Sequence, residues 1–200
     1  MEWAAVLLSE TSGDPRARAS GLAVRAVADL LGLPAGEVRL GREPSGRPYA
    51  LGAGRRVHVS VSHGRGVVAV AAAAHTPIGV DVERERPLPA VPLARRWLAP
   101  ADAEWLTRQA AGWHPTAFLW LWTQKEAIGK ARGTGLRDGG MRQPVPLPAA
   151  WPDPVGVLPP RQVPGTDLTV AGGRLCGALV LAVAAAGWPG GAPIRIARVD

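Results

Sequence analysis

Val57, Val59 and Val61 alternate with His58, Ser60 and Ser62, the period-two pattern of a strand with one apolar and one polar face. Gly64-Arg65-Gly66 then turns the chain into Val67 to Ala74, which is apolar throughout and is expected to be buried on both faces. Together they predict a β-hairpin, with His63 at the end of the polar row beside the turn. A third strand is predicted over Ile78 to Glu83, where period two sets Val80 and Val82 on one face and Asp81 and Glu83 together on the other. Residues 3–8, WAAVLL, read as a short buried strand; Leu168 to Val170 and Ile194 to Val199 are further candidates.

Helical spacing begins at Leu22 and continues through Ala23, Ala26, Val27, Leu30 and Leu31. Asp14-Pro15 supplies an N-cap with proline at the first helical position, and Gly32 supplies the stop. Leu93 to Leu98 reads as a short helix, and Pro100 opens another with Asp102 and Glu104 in its first turn. The longest candidate runs from Phe118 to Leu136, an amphipathic helix followed by a glycine turn. Phe118, Leu121, Trp122 and Ile128 form its apolar side, on which Trp122 is expected to anchor the helix. Lys125, Glu126 and Lys130 carry its charge, and Glu126 and Lys130, four apart, lie one turn above each other.

Between these elements, residues 38–54 are dense in turn formers, and Gly46-Arg47-Pro48-Tyr49 presents an arginine from a rigid turn. The segment 137–166 predicts no regular element. PLPAVP at 87–92 is a connector that divides the chain into an N-terminal half, 1–91, and a C-terminal half, 92–200, with the main helix at 116–131. Leu175 to Ala186 echoes Val67 to Ala74: each follows a glycine turn and is rich in Ala and Val. The expected fold class is therefore α+β (α/β), with helices packed on small β-sheets in two related halves.

Composition narrows the class. A hydrophobic fraction of 47% rules out a disordered chain. A single cysteine, Cys176, leaves no internal disulfide and fits a reducing compartment. Met1-Glu2-Trp3 carries no basic leader, and the longest apolar run, Leu175 to Trp188, is short of the roughly 20 residues a bilayer span needs; a cytoplasmic protein with no membrane partner is expected. The net charge of +7 favours an anionic partner. Most of the basic residues are arginine, whereas Lys125 and Lys130 are the only lysines and share one helix. Arg16 and Arg18 sit near the start of the first helix, where backbone N–H groups also favour anions.

Asp81 and Glu83 on one strand face repel each other, and aspartate is a poor strand former, so a cation must compensate. That cation is either a metal or an arginine such as Arg84 or Arg86. With Glu126 the chain offers three carboxylates, a donor set suited to a hard divalent ion. Lys125 and Lys130 flank the third, and the combination suits phosphoryl or phosphodiester chemistry on an anionic cofactor. Other sites are excluded. Gly129-Lys130 has no glycine at 124 and Ala131 where a P-loop needs Ser or Thr. Ser62, His63 and Asp81 lack the GxSxG elbow of a hydrolase, and no Cys/His cluster supports zinc. One Phe and one Tyr exclude an RNA-recognition domain. A basic nucleic-acid binder fits the charge but lacks a binding motif or concentrated patch, and a non-catalytic CoA- or nucleotide-binding module has no need of three carboxylates.

IGVDVE at 78–83 resembles the [IV]G[IV]D[IV]E motif of 4′-phosphopantetheinyl transferases. WTQKEAIGK at 122–130 resembles their W-[ST]-x-K-E-[AS]-x-x-K motif, VSVSHGRG at 59–66 their Ser-His strand–turn segment, and GRPY at 46–49 their Gly-Lys-Pro turn, with Arg47 in place of the usual lysine. The length is similar to that of the surfactin-type branch, a single-chain pseudo-dimer. The resemblance implies transfer of the phosphopantetheine arm of coenzyme A to a serine of an acyl or peptidyl carrier protein by a monomer. It implies Mg²⁺ on Asp81, Glu83 and Glu126, with Lys130 neutralising the leaving phosphate and Glu126, or a water it orients, taking the serine proton. It also implies contacts to coenzyme A from Ser62, His63, Lys125 and Lys130, with Arg47 near the nucleotide and Arg16 and Arg18 as candidates for its 3′-phosphate.

Overall fold

The computed structural model describes residues 3–137, 139–156, 158–188 and 194–200. The chain opens with β1 (Ala4–Glu10) and α1 (Pro15–Leu31). Asp14 caps the helix by accepting from the Arg16 amide at 2.9 Å, and Gly32 ends it at φ 67°, as the sequence predicts. β2 (Arg39–Arg42) and β3 (Pro48–Gly52) follow, then the expected hairpin of β4 (Arg55–Gly64) and β5 (Val67–Ala73). β6 (Ile78–Arg84) leads through the proline connector to α2 (Ala90–Trp97), α3 (Pro100–Thr107) and α4 (His114–Arg132). The chain ends in β7 (Pro160–Gln162), β8 (Leu168–Leu175), β9 (Leu179–Ala186) and β10 (Arg195–Arg198).

The strands form two sheets, ordered β10-β1-β5-β4-β3-β2 and β6-β9-β8-β7. Apart from the added β10, β2, α2 and α3, the two follow one plan: a first strand, a long helix, then three strands whose last returns beside the first, antiparallel throughout. Helix α1 covers the outer face of the first sheet over Leu7, Val57, Val59 and Val70. Helices α2 to α4 cover the second, over Val170, Val180, Ala182 and Ala184. Between the sheets, Val6, Leu8, Ala69 and Ala71 meet Val80, Val82, Leu181 and Val183. The fold is α+β, in four layers.

The sheets do not divide the chain at residue 91. β6 precedes the connector yet pairs with β9, and β10, at the far end, returns to run parallel to β1. Two readings of the sequence also change. Residues 38–54, dense in turn formers, carry β2, the outermost strand of its sheet, and β3 beside it, which begins at Pro48, the first residue of a strand being a position where proline is tolerated. Cys176 lies exposed in the β8–β9 turn rather than in an apolar run.

α4 is not amphipathic in the expected sense, because most of its circumference is buried, including Thr123, Gln124 and Lys125. It lies directly on β6. A methyl group on Gly79 would stand 1.9 Å from the Ala127 carbonyl oxygen and 2.6 Å from the Ala131 nitrogen. Gly79→Ala should therefore push helix and strand apart, and urea denaturation should show a loss at or above the usual overpacking range of about 1–3 kcal/mol. Unchanged stability would mean that the two elements are not in close contact.

Candidate functional site

Where α4 crosses β6, the edge of the second sheet meets β4 of the first. The outward amides of β6 have no partner strand, and β4 supplies side chains instead. The Val80 amide donates to Ser60 Oγ at 3.0 Å and the Val82 amide to Ser62 Oγ at 3.3 Å. The Val80 carbonyl accepts from Lys130 Nζ at 3.0 Å. The polar row read from the sequence of β4 is thus the joint between the sheets.

On that joint opens a cleft of about 550 Å³, lined among others by Arg47, Ser62, His63, Asp81, Glu83, Trp122, Glu126, Lys130 and Gly135. Trp122, Glu126 and Lys130 are four apart on α4 and so present one side of the helix to it. Trp122 stacks on Phe118 of the same helix at 5.9 Å between ring centres, packs half-buried against the core and also forms a wall of the cleft. A second cavity of about 680 Å³ continues along α1 and shares Arg42, Pro48, Val59, Val61 and His63 with the first; Arg16 and Ser20 line its far side.

Asp81 is buried at the centre. Its Oδ1 accepts from Ser62 Oγ at 2.6 Å and from Lys130 Nζ at 2.7 Å. Burial raises its pKa, against the lowering pull of Lys130 and Ser62, and Glu83 raises it further. Glu126 is raised as well, first by burial and then by the charge of Asp81, with Lys130 opposing. Glu83 is held by Arg86 at 2.6 Å, while Arg84 turns to the carbonyls of Arg65 and Gly177. The cation that the paired strand carboxylates demanded is therefore Lys130 for Asp81 and Arg86 for Glu83.

The donor chemistry nevertheless suits a hard divalent ion. Asp81 Oδ2 is buried and makes no hydrogen bond, and carboxylate oxygens are the ligands such ions take. In the arrangement seen, no three His, Cys, Asp or Glu side chains among the described residues gather closely enough to hold an ion. Lys130 and Arg86 each occupy one oxygen of their carboxylate, Asp81 Oδ1 and Glu83 Oε2.

The structure brings Arg47, Ser62, His63, Asp81, Glu83, Glu126 and Lys130 to one cleft, and Arg16 to its extension. It does not bring Lys125 there: the ammonium is buried 2.6 Å from Asp102 Oδ2. Arg18 is also turned away, donating to Ser9 Oγ at 2.8 Å and the Val199 carbonyl at 3.1 Å. Arg47 spans the joint, its Nη2 donating to the Ala131 carbonyl at 3.0 Å near the C-terminus of α4, where a cation is favoured. The sequence reading missed Arg42, Ser45, Gly133 and Gly135 on the cleft wall. A glycine turn directly after the charged helix was the available signal for the last two.

Residues 77–148 match the family model of the 4′-phosphopantetheinyl transferase superfamily, a stretch that runs from the start of β6 through α4 and supplies Asp81, Glu83, Glu126 and Lys130. No curated protein matches the sequence. No helix among the described residues is long and apolar enough to cross a membrane.

Proposed function

We propose that this chain transfers the 4′-phosphopantetheine arm of coenzyme A to a serine hydroxyl of an acyl or peptidyl carrier protein, releasing adenosine 3′,5′-bisphosphate. The observation that carries the reading is the convergence of Asp81, Glu126 and Lys130 on a cleft between two sheets, with all three from the matched stretch. The shared plan of the two sheets supports a single-chain pseudo-dimer; a cytoplasmic monomer is part of the same proposal.

In this reaction the serine oxygen forms a bond to the phosphorus that carries pantetheine, and the bond from that phosphorus to the bridging oxygen breaks. Glu126, whose raised pKa makes it a competent proton acceptor, takes the serine proton directly or through a water. Lys130, a quarter exposed to the cleft, faces the charge that develops on the departing phosphate. His63 and Ser62 flank the phosphates, and Arg47 and Arg16 lie further along the groove for the nucleotide end. Asp81, Glu83 and Glu126 would hold Mg²⁺, which when bound polarises the phosphoryl oxygens and offsets their charge.

The test is mass spectrometry of a panel of apo acyl and peptidyl carrier proteins incubated with the chain, coenzyme A and MgCl₂. At least one carrier should gain the mass of a single phosphopantetheine, and EDTA should prevent the gain. No gain on any carrier would refute the transfer, and a gain undiminished by EDTA would refute the metal.

A further inference from the structure

Lys125 adjoins Glu126 in sequence but leaves α4 on another side. Its Nζ lies 2.6 Å from Asp102 Oδ2 on α3 and 2.5 Å from the Gln143 carbonyl oxygen. The paired side chains of Lys125 and Asp102 are 0% and 2% exposed. Asp102 also accepts from the Val145 amide, so α3, α4 and the segment 143–145 meet at one ion pair. The Gln143 side chain extends the junction, accepting from Arg132 at the end of α4 at 3.1 Å and donating to the Pro164 carbonyl at 3.1 Å.

Stability alone gives a poor account of this pair. Desolvating two charges costs so much that apolar residues of similar volume often serve a core equally well. What a buried ammonium adds is direction, because its donors must meet fixed acceptors. The junction fixes α4 in rotation one residue before Glu126 and five before Lys130. It also fixes the far end of the loop that leaves α4 through Gly133 and Gly135 along the cleft wall.

We infer that Lys125 is a positioning residue: held by Asp102 and the Gln143 carbonyl, it sets the rotation of α4 and the course of the loop after it, and so aims Glu126 and Lys130 into the cleft. The inference rests on the transfer reaction proposed above, and it replaces the cofactor contact that the sequence suggested for Lys125.

The experiment compares Lys125→Met, the charge-free double variant Lys125→Met/Asp102→Asn and the parent chain, each assayed well below its melting temperature with coenzyme A and a carrier that the parent modifies. Lys125→Met should lower the melting temperature, because Asp102 is left buried and unpaired. It should lower kcat about tenfold to a hundredfold, the order expected of misplaced reacting groups, with the KM for coenzyme A within about twofold. The double variant should regain most of the melting temperature but not kcat, since the tie to the Gln143 carbonyl is still missing. Recovery of kcat together with stability would reduce Lys125 to fold support and overturn the inference. So would a kcat unchanged in Lys125→Met, or a KM for coenzyme A raised tenfold at constant kcat, which marks direct cofactor contact. Should Lys125→Met not fold, the double variant decides by itself. A parent chain that modifies no carrier refutes the transfer reaction itself, and the inference falls with it.

Discussion

Asp81→Ala is expected to lower kcat/KM for carrier modification by about a thousandfold or more while the protein stays folded. The two halves of that expectation have separate causes. Asp81 is placed to serve three partners: Oδ1 takes Lys130 and Ser62, and the buried Oδ2 is open to a further cation. Removing it deprives Lys130 of its orienting carboxylate and deletes one of the ligands proposed for Mg²⁺. The fold survives because the joint does not depend on the carboxylate. The amides of Val80 and Val82 keep the hydroxyls of Ser60 and Ser62, and Lys130 keeps the Val80 carbonyl. Nor does the change strand a buried charge, since Lys130 reaches solvent. Circular dichroism and thermal melting would show the fold, and the carrier mass assay the activity. Transfer by Asp81→Ala at the parent rate would remove Asp81 from the mechanism.

How much of this could be read from the sequence depended on whether a residue's partner was close along the chain. The ends of α1 were legible because Asp14 and Gly32 act within one turn. The β4–β5 hairpin and the shared face of Asp81 and Glu83 were legible because period two is local. β8 was read only as Leu168 to Val170, although it continues to Leu175, because Gly172-Gly173 interrupts the pattern. The glycine is there for a tertiary reason: a methyl group on Gly172 would come within 2.9 Å of the Gln124 side chain, so α4 requires the gap. Lys125 was read as a coenzyme A contact and Asp102 only as an acid in the first turn of a helix, because periodicity does not reveal a partner 23 residues away. A weak signal was present, since Leu121 and Ile128 flank Lys125 on the same stripe of α4 and Leu106 lies one turn after Asp102 on α3. A charge on an apolar stripe needs a buried partner, and each is the other's.

Glu126→Gln should do two opposite things at once: lower kcat by about a hundredfold to ten-thousandfold, the range for loss of a general base, and raise the melting temperature at neutral pH. The second effect follows from the direction of the shift. Burial and the charge of Asp81 hold the folded-state pKa of Glu126 above its unfolded value. The folded protein therefore binds the proton more tightly than the unfolded chain does. The stabilisation from that proton is complete below the unfolded pKa and is lost as pH rises through the folded one. Once ionised, the carboxylate is a net cost to the fold, tolerated because the reaction needs it. Glutamine is nearly isosteric and carries no charge, so it mimics the protonated form at every pH. Melting measured in EDTA, to keep metal from masking the effect, should show Glu126→Gln above the parent at pH 8, with the gap closing on acidification towards the carboxylate range. The parent's kcat should rise with pH as Glu126 ionises, and the residual activity of the variant should lose that limb. A Glu126→Gln protein that melts below the parent at pH 8 would show that the carboxylate is stabilised where it stands, by a cation such as Lys130, and would take from it the role of a strained base.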